Sequence, residues 1–326
     1  MEIYGTIGPS CSKEAVLYQM FCNGMTGARL NLSHTTLRAA IGEITAFYKA
    51  ADRAGIQPKL LIDLQGPELR VRFADGSLHL LKGQIRTDIP LPAEVYQILK
   101  PGMRLLMDDG RLQANCVSVN HESSGAPIAK LEIIQGGMLQ SGKSIAIDGY
   151  SVSGASITKE DFENLQQASS YGVTGVMLPF VRTADDLISL RKALKQCGNT
   201  SLRVFAKIEN QTGVQHLASL FPYCDEIVIA RGDLGNSVPL WTLPRLQKHI
   251  AAQCRQSNIP FMVVTQMLQS MEHSPIPTRA EVSDIYNAVL DGASSLMVTG
   301  ETAIGEYPAE VIQYLTNTAK EASDNI

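Results

Sequence analysis

The feature that most constrains this chain is a repeated alternation of short apolar runs with amphipathic stretches. Eight runs read as strands, at residues 3–7, 28–30, 60–63, 175–178, 203–207, 226–230, 261–265 and 295–298. Most are continuously apolar, as strands covered on both faces are. Between them, stretches such as 159–171, 184–196 and 243–258 repeat apolar residues three and four apart, the period of a helix with one buried face. Thr158, with Asp161 three residues on, is a helix-start signal. Eight strand–helix units predict a closed parallel (β/α)8 barrel, the TIM-barrel architecture of the α/β class.

One interval breaks the alternation. Strand three ends near residue 63 and strand four begins near 175, about 110 residues later, too long for one connecting loop. Between 71 and 143 the pattern changes to short alternating runs with turn signals at Asp75-Gly76, Asp109-Gly110, Ser123-Ser124-Gly125 and Gly136-Gly137. The expected organisation is a barrel formed by 1–69 and 146–326. A small antiparallel β-barrel lid domain, 70–145, is inserted after strand 3, and no C-terminal α/β domain follows. Insertions above the C-terminal face of a barrel commonly act as lids. The chain length of 326 residues agrees with two domains at roughly 150 residues each.

Composition narrows the function classes. A formal charge of −4 gives no general attraction to nucleic acid or anionic membrane. No apolar run reaches the roughly 18 residues of a membrane span. The opening Met-Glu-Ile-Tyr-Gly has no basic or apolar signal pattern, and the 6 cysteines form no CxxC pair. Both point to a cytoplasmic protein with reduced thiols.

In a barrel of this type the chemistry gathers where strands end at the C-terminal face. Strand two runs into Arg29, Asn31, Ser33 and His34. Strand three ends at Asp63 and leads to Gly66-Pro67-Glu68 and Arg70. Strand five ends at Lys207, with Glu209 beyond it. Strand six runs into Arg231-Gly232-Asp233, strand seven into Thr265-Gln266, and strand eight into Thr299-Gly300-Glu301-Thr302. Glu209 and Asp233 are hard oxygen donors that suit Mg²⁺ or Mn²⁺. Lys207, Arg29 and Arg70 suit a phosphoryl group or an enolate, where charge must be neutralised as it moves. Asn31, Ser33 and Asp63 form a low-charge oxygen set fit for a monovalent cation. Gly232 allows close backbone approach to a ligand carboxylate. Taken singly, a Lys–Glu pair is usually structural and a lone His usually packs. His79, His121, His216, His249 and His273 show no partner pattern and receive no role. Six strand ends with complementary chemistry point instead to one pocket.

These motifs are recognisable. The chain resembles the pyruvate kinase family through Thr6-Ile7-Gly8-Pro9-Ser10, Ala28-Arg29-Leu30-Asn31-Leu32-Ser33-His34, Gly66-Pro67-Glu68-Leu69-Arg70 and Asp108-Asp109-Gly110. The likeness continues with Lys207-Ile208-Glu209-Asn210, Ala230-Arg231-Gly232-Asp233-Leu234-Gly235, Thr265-Gln266-Met267-Leu268, Ser270-Met271 and Pro277-Thr278-Arg279-Ala280-Glu281. It closes with Asn287-Ala288-Val289-Leu290-Asp291-Gly292 and Gly300-Glu301-Thr302-Ala303.

The resemblance implies transfer of phosphate from phosphoenolpyruvate to ADP, followed by protonation of enolpyruvate. It implies Glu209 and Asp233 as holders of Mg²⁺ (or Mn²⁺), and Asn31, Ser33, Asp63 and the Leu64 carbonyl as holders of K⁺, with Glu68 the residue that accompanies K⁺ dependence. Lys207 would neutralise the phosphoryl group and the enolate, and Arg29 would bind phosphate. The Gly232 and Asp233 N–H groups and the Thr265 hydroxyl would hold the carboxylate. Thr265, with water near Thr299 and Glu301, would lie on the proton's route. His34, Arg70 and Lys143 would face the nucleotide.

Departures from the family pattern are Gln65 for Lys, Pro179 for Ser, Ser237 and Gln269 for Glu, Asp148 for Pro, Leu64 for Thr and Thr299 for Ser. The expected enzyme lacks the family's C-domain allosteric control, and the family's barrel-to-barrel contact leaves a homodimer open. Two other readings remain open. One is a Mg²⁺-dependent lyase or aldolase acting on a pyruvate-like 2-oxo acid, and the other is a non-catalytic binding or regulatory subunit.

Overall fold

The computed structural model describes residues 1–67, 69–73, 76–108, 110–121, 127–147 and 155–324. Glu68, Asp109, Asp148 and the turn signals at Asp75 and 123–125 lie outside the described residues. Strands β1 (Glu2–Thr6), β2 (Gly27–Asn31) and β3 (Lys59–Asp63) come first. Among the described residues of the inserted segment seven strands follow: β4 (Ser77–Leu80), β5 (Ile85–Arg86), β6 (Arg104–Met107), β7 (Leu112–His121), β8 (Pro127–Gln135), β9 (Gly137–Gln140) and β10 (Ile145–Ile147). Then come β11 (Gly175–Leu178), β12 (Arg203–Ile208), β13 (Glu226–Ala230), β14 (Phe261–Val264) and β15 (Ser295–Met297).

The first three and the last five close a barrel in the order β1-β15-β14-β13-β12-β11-β3-β2. Its neighbouring strands pair in parallel, with helices following the strands. This is the expected (β/α)8 barrel. Strands β11 and β13 and the helix Ala184–Gln196 fall on the predicted residues. Strand β14 stops one residue early, because Thr265 has φ +80° and cannot continue an extended run.

The described residues of the inserted segment form two antiparallel sheets, one ordered β10-β6-β7-β8-β5 and one pairing β4 with β9. Its core is its own, built around Leu105, Met107, Ala114, Leu131 and Ile133, all buried. A short helix, Ala93–Ile98, stands among these strands, where the sequence reading expected only strands. Gly136-Gly137 is not a hairpin turn: the chain changes sheets there, from β8 to β9. The chain as a whole divides into two compact units. One comprises Met1–Gly66, Ala155–Leu234 and Trp241–Ile326, and the other Pro67–Gly154 with Gly235–Leu240.

Asp161 secures the points where the chain leaves the barrel and returns to it. As expected from sequence, Thr158 caps the helix Lys159–Gln167 in a reciprocal capping box with Asp161. The same carboxylate, fully buried, also accepts the backbone N–H of Gln65 at 2.8 Å and of Gly66 at 3.1 Å. Gly66 has φ +59°, which favours glycine, and a Cβ there would lie 2.6 Å from Pro179 Cγ, which leaves no room for a side chain.

Side chains alternate across each strand, so every second residue enters the barrel. On β12 these are Arg203, Phe205 and Lys207. The middle tier is apolar: Tyr4, Leu61, Met177, Phe205, Val228, Met262 and Met297 form a buried cluster of strand residues alone. Below it, at the strand N-termini, lies an ionic tier. Arg203 reaches Glu226 at 2.7 Å and Glu2 at 3.4 Å; Lys59 and the Tyr4 hydroxyl also bind Glu2. Ser294 and Ser295 donate to Glu226, which is buried. Burial raises the Glu226 carboxyl above the usual carboxylate range, against the lowering effects of Ser295 and Arg203.

Removing Arg203 leaves that carboxylate buried without its cation, a penalty near the low end for buried pairs, roughly 3 kcal/mol, because the Arg203 side chain is itself 34% exposed. Unpaired, the carboxyl titrates still higher, and protonation removes the penalty. Arg203→Met should therefore melt well below the parent at pH 8 and closer to it at pH 5, as thermal denaturation at the two pH values will measure.

Candidate active site

Above the apolar tier, the C-terminal strand ends carry a second ionic cluster. Its centre is Asp63, the last residue of β3. One carboxylate oxygen, Oδ2, accepts Arg29 through Nε at 2.8 Å and through a terminal guanidinium nitrogen at 2.7 Å, and Lys207 Nζ at 3.0 Å. Lys207 also meets Glu209 Oε1 at 2.9 Å, and the other Glu209 oxygen accepts the Phe180 backbone N–H at 2.6 Å. Arg29 extends toward the Thr6 hydroxyl at 3.5 Å. Four predicted residues on β2, β3 and β12 and just past it thus form one connected network.

The network is nearly dry. The side chain of Asp63 is 2% exposed, that of Lys207 13% and that of Arg29 12%. Burial alone would neutralise both Asp63 and Lys207. The neighbouring charges win: Lys207 and Arg29 hold the Asp63 carboxyl below its usual range, while Asp63 and Glu209 hold the Lys207 ammonium above its own, partly opposed by Arg29. The site therefore favours the charged ammonium form of Lys207, largely removed from water, at the barrel mouth.

The second carboxylate oxygen, Asp63 Oδ1, is buried with no donor among the described residues. An orphaned anionic oxygen of this kind fits a cation ligand. Beside Asp63 on the paired strand stands Asn31, whose Oδ1 accepts the Ser33 N–H at 3.1 Å. Leu64 is buried and donates its N–H to the Met177 carbonyl. His34 donates its backbone N–H to Asn31 at 3.3 Å. Asp233 lies in the first turn of the helix Arg231–Asn236, directly after β13. Among the described residues no group of three or more His, Cys, Asp or Glu side chains forms a metal cage. The Glu209 and Asp233 carboxylates are, by residue chemistry alone, hard oxygen donors of the kind a divalent cation takes together with water or substrate.

Further around the mouth, Gly232 packs so closely on Thr265 that a Cβ at 232 would lie 3.0 Å from Thr265 Cγ2. Thr265 and Gln266 have φ +80° and +55°, two successive left-handed residues, neither of them glycine. Each such residue costs on the order of 1–3 kcal/mol, and such strain gathers at functional sites. Glu301, buried, accepts the Leu268 N–H at 3.2 Å and the Thr299 N–H at 2.7 Å, and the Thr299 hydroxyl approaches it at 3.3 Å. Its carboxylate thus fixes the loop after β14 to the end of β15.

Arg70 and Lys143 belong to the inserted unit. Lys143 pairs with Asp108 at 2.7 Å, and Arg70 donates to the Gly142 carbonyl at 2.6 Å. Sequence reasoning gave no role to Arg231, Asp284 or Phe180, which hold Thr265 and Glu209 in place. The one available signal was that Arg231 sits at a strand end like the other charged residues.

Residues 1–312 match the family model described as pyruvate kinase, barrel domain. The chain belongs to the pyruvate kinase family. It is 32% identical over 334 residues to the pyruvate kinase of Staphylococcus saprophyticus and 34% identical over 332 to that of Sporosarcina psychrophila. The pyruvate kinase of Staphylococcus aureus (strain USA300) is 32% identical over 334 residues. Each alignment covers 98% of this chain and 56% of the relative, so the chain spans little more than half the length of these family members. Among the described residues no helix is long and apolar enough to cross a membrane.

Asp63 is the only anion placed between Arg29 and Lys207 in the network described above. Replacing it with Asn leaves two cations facing each other, Lys207 keeping Glu209 alone. Asp63→Asn should lose about 3–5 kcal/mol of unfolding free energy, as urea denaturation at pH 7 will measure.

Proposed function

We propose that this chain transfers the phosphoryl group of phosphoenolpyruvate to ADP, giving pyruvate and ATP. The observation that carries this reading is the dehydrated Lys207 ammonium held between Asp63 and Glu209, beside Arg29, in a barrel of the pyruvate kinase family.

Each residue has work that matches its position. Arg29 binds the phosphate of phosphoenolpyruvate. As the bond between the enol oxygen and phosphorus breaks and phosphorus bonds to the ADP oxygen, Lys207 neutralises the phosphoryl oxygens in flight and then the enolate left behind. The N–H groups of Gly232 and Asp233 and the Thr265 hydroxyl hold the carboxylate. A proton then reaches the methylene carbon near Thr265, Thr299 and Glu301, completing the methyl group of pyruvate. Asp233 and Glu209 would hold Mg²⁺ or Mn²⁺, and Asn31, Ser33, Asp63 and the Leu64 carbonyl would hold K⁺, the orphaned Asp63 oxygen favouring the latter. Bound there, the cations add positive charge that screens phosphate and carboxylate oxygens. The family resemblance assigns His34, Arg70 and Lys143 to the nucleotide phosphates. The setting is cytoplasmic, in keeping with six free cysteines.

The test is pyruvate release from phosphoenolpyruvate and ADP with Mg²⁺, with and without K⁺. The parent should turn over, and Lys207→Met should lose about a thousandfold or more in kcat per folded enzyme, with its melting temperature measured alongside because Glu209 loses its cation. Full activity in Lys207→Met, or none in the parent, would overturn the proposal.

A further inference from the structure

We infer that Arg231 is a positioning residue whose guanidinium holds Thr265 in its left-handed conformation and so sets the place of the Thr265 hydroxyl. The inference rests on the reading that Thr265 contacts the substrate, but its structural half stands apart from that reading.

A β-branched residue at φ +80°, followed by a second side-chain-bearing residue at φ +55°, does not keep that shape unaided. Something must hold the peptide. Two Arg231 donors converge on the Thr265 carbonyl oxygen, Nε at 3.2 Å and a terminal nitrogen at 2.8 Å. The guanidinium is in turn fixed from its far side. Its other terminal nitrogen meets Asp284 on the helix Arg279–Leu290 at 2.6 Å and Gln247 on the helix Leu243–Gln256 at 3.5 Å. The Arg231 side chain is only 10% exposed and its Asp284 partner 34% exposed, so the bonds to Thr265 are the better shielded from water, and charge-assisted hydrogen bonds are strong when so shielded. The next residue adds a second restraint: Gly232, lacking a Cβ, leaves just enough room for the Thr265 methyl group.

The planar fork is what this task requires. One face of the guanidinium edge satisfies a carbonyl twice while another nitrogen reaches an anchoring carboxylate. An ammonium is a point charge and cannot reproduce that pattern. The arrangement links two helices on the outside of the barrel to a hydroxyl at its mouth. Arg231 touches neither substrate nor reacting atoms in this scheme; it acts through Thr265, and Asp284 acts through Arg231.

The experiment compares Arg231→Lys, Asp284→Asn and Thr265→Val, singly and in pairs, by kcat per folded enzyme, by melting temperature and by crystal structure. Arg231→Lys should lower kcat about a hundredfold, the scale of a misplaced catalytic group. In the Thr265→Val background the same change should cost less than about threefold, because its target is already gone. Asp284→Asn should show a smaller loss that vanishes once Arg231 is Lys. In the crystal structure of Arg231→Lys, Thr265 should return to negative φ.

A residue that merely stabilises the fold would lower the melting temperature and leave kcat per folded enzyme and the Thr265 backbone unchanged. That result overturns the inference, as does an equal loss with or without the Thr265 hydroxyl. If the parent shows no turnover, the phosphotransfer reading fails, and the Thr265 φ angle in Arg231→Lys still decides the structural claim: retained at about +80°, it overturns it.

Discussion

The buried carboxylate of Asp63 is the interaction on which the barrel mouth depends. Two cations from two other strands meet on one of its oxygens. Without it, Arg29 and Lys207 would be like charges in a region with little water, with Glu209 the one carboxylate left on Lys207 in this network. With it, both cations are held on one oxygen. Asp63 also retains a bare oxygen, so the group that neutralises the cations keeps capacity for a cation of its own. Desolvation makes each member costly alone, and the cost enforces the geometry of the set.

The same economy shapes the barrel from end to end. Along β12 the inward residues run Arg203, Phe205 and Lys207, with Glu209 just beyond the strand. One strand thus contributes to the lower ionic tier, the apolar middle and the upper ionic tier. The guanidinium of Arg203 lies 4.8 Å from the centre of the Phe205 ring, so even the boundary between tiers is a charge resting on an aromatic face. The lower tier is saturated: Glu226 takes Arg203 and two serine hydroxyls. The upper tier retains an unmet acceptor. Saturation suits a stabilising plug, and an unmet acceptor suits a binding site.

Much of this was legible in the sequence. The strands Gly175–Leu178 and Glu226–Ala230 were readable because covered strands are uninterrupted apolar runs. The Thr158–Asp161 cap was readable because its partners are three residues apart. The remaining work of Asp161 was not: Gln65 and Gly66 lie 96 and 95 residues away and offer only backbone N–H groups, which carry no sequence signal. The lower ionic tier escaped for a related reason. Glu2, Lys59, Arg203 and Glu226 each look like ordinary charges at strand starts until register and closure bring them together. Gly66, next to Gln65, lies close against Pro179 of the loop after β11; nothing in the structure explains why Gln stands at 65.

By itself the sequence determined the alternation of strands and helices, the position of the insertion and the kinds of side chain at each strand end. These are local properties, fixed by periodicity and by residue chemistry. Tertiary structure decided which charges neutralise which, that one oxygen of Asp63 stays unmet, and that Thr265 is held in a left-handed turn by Arg231, 34 residues away. Those outcomes depend on the register of strands distant in the chain and on the loss of water when the barrel closes, and neither exists before the fold does.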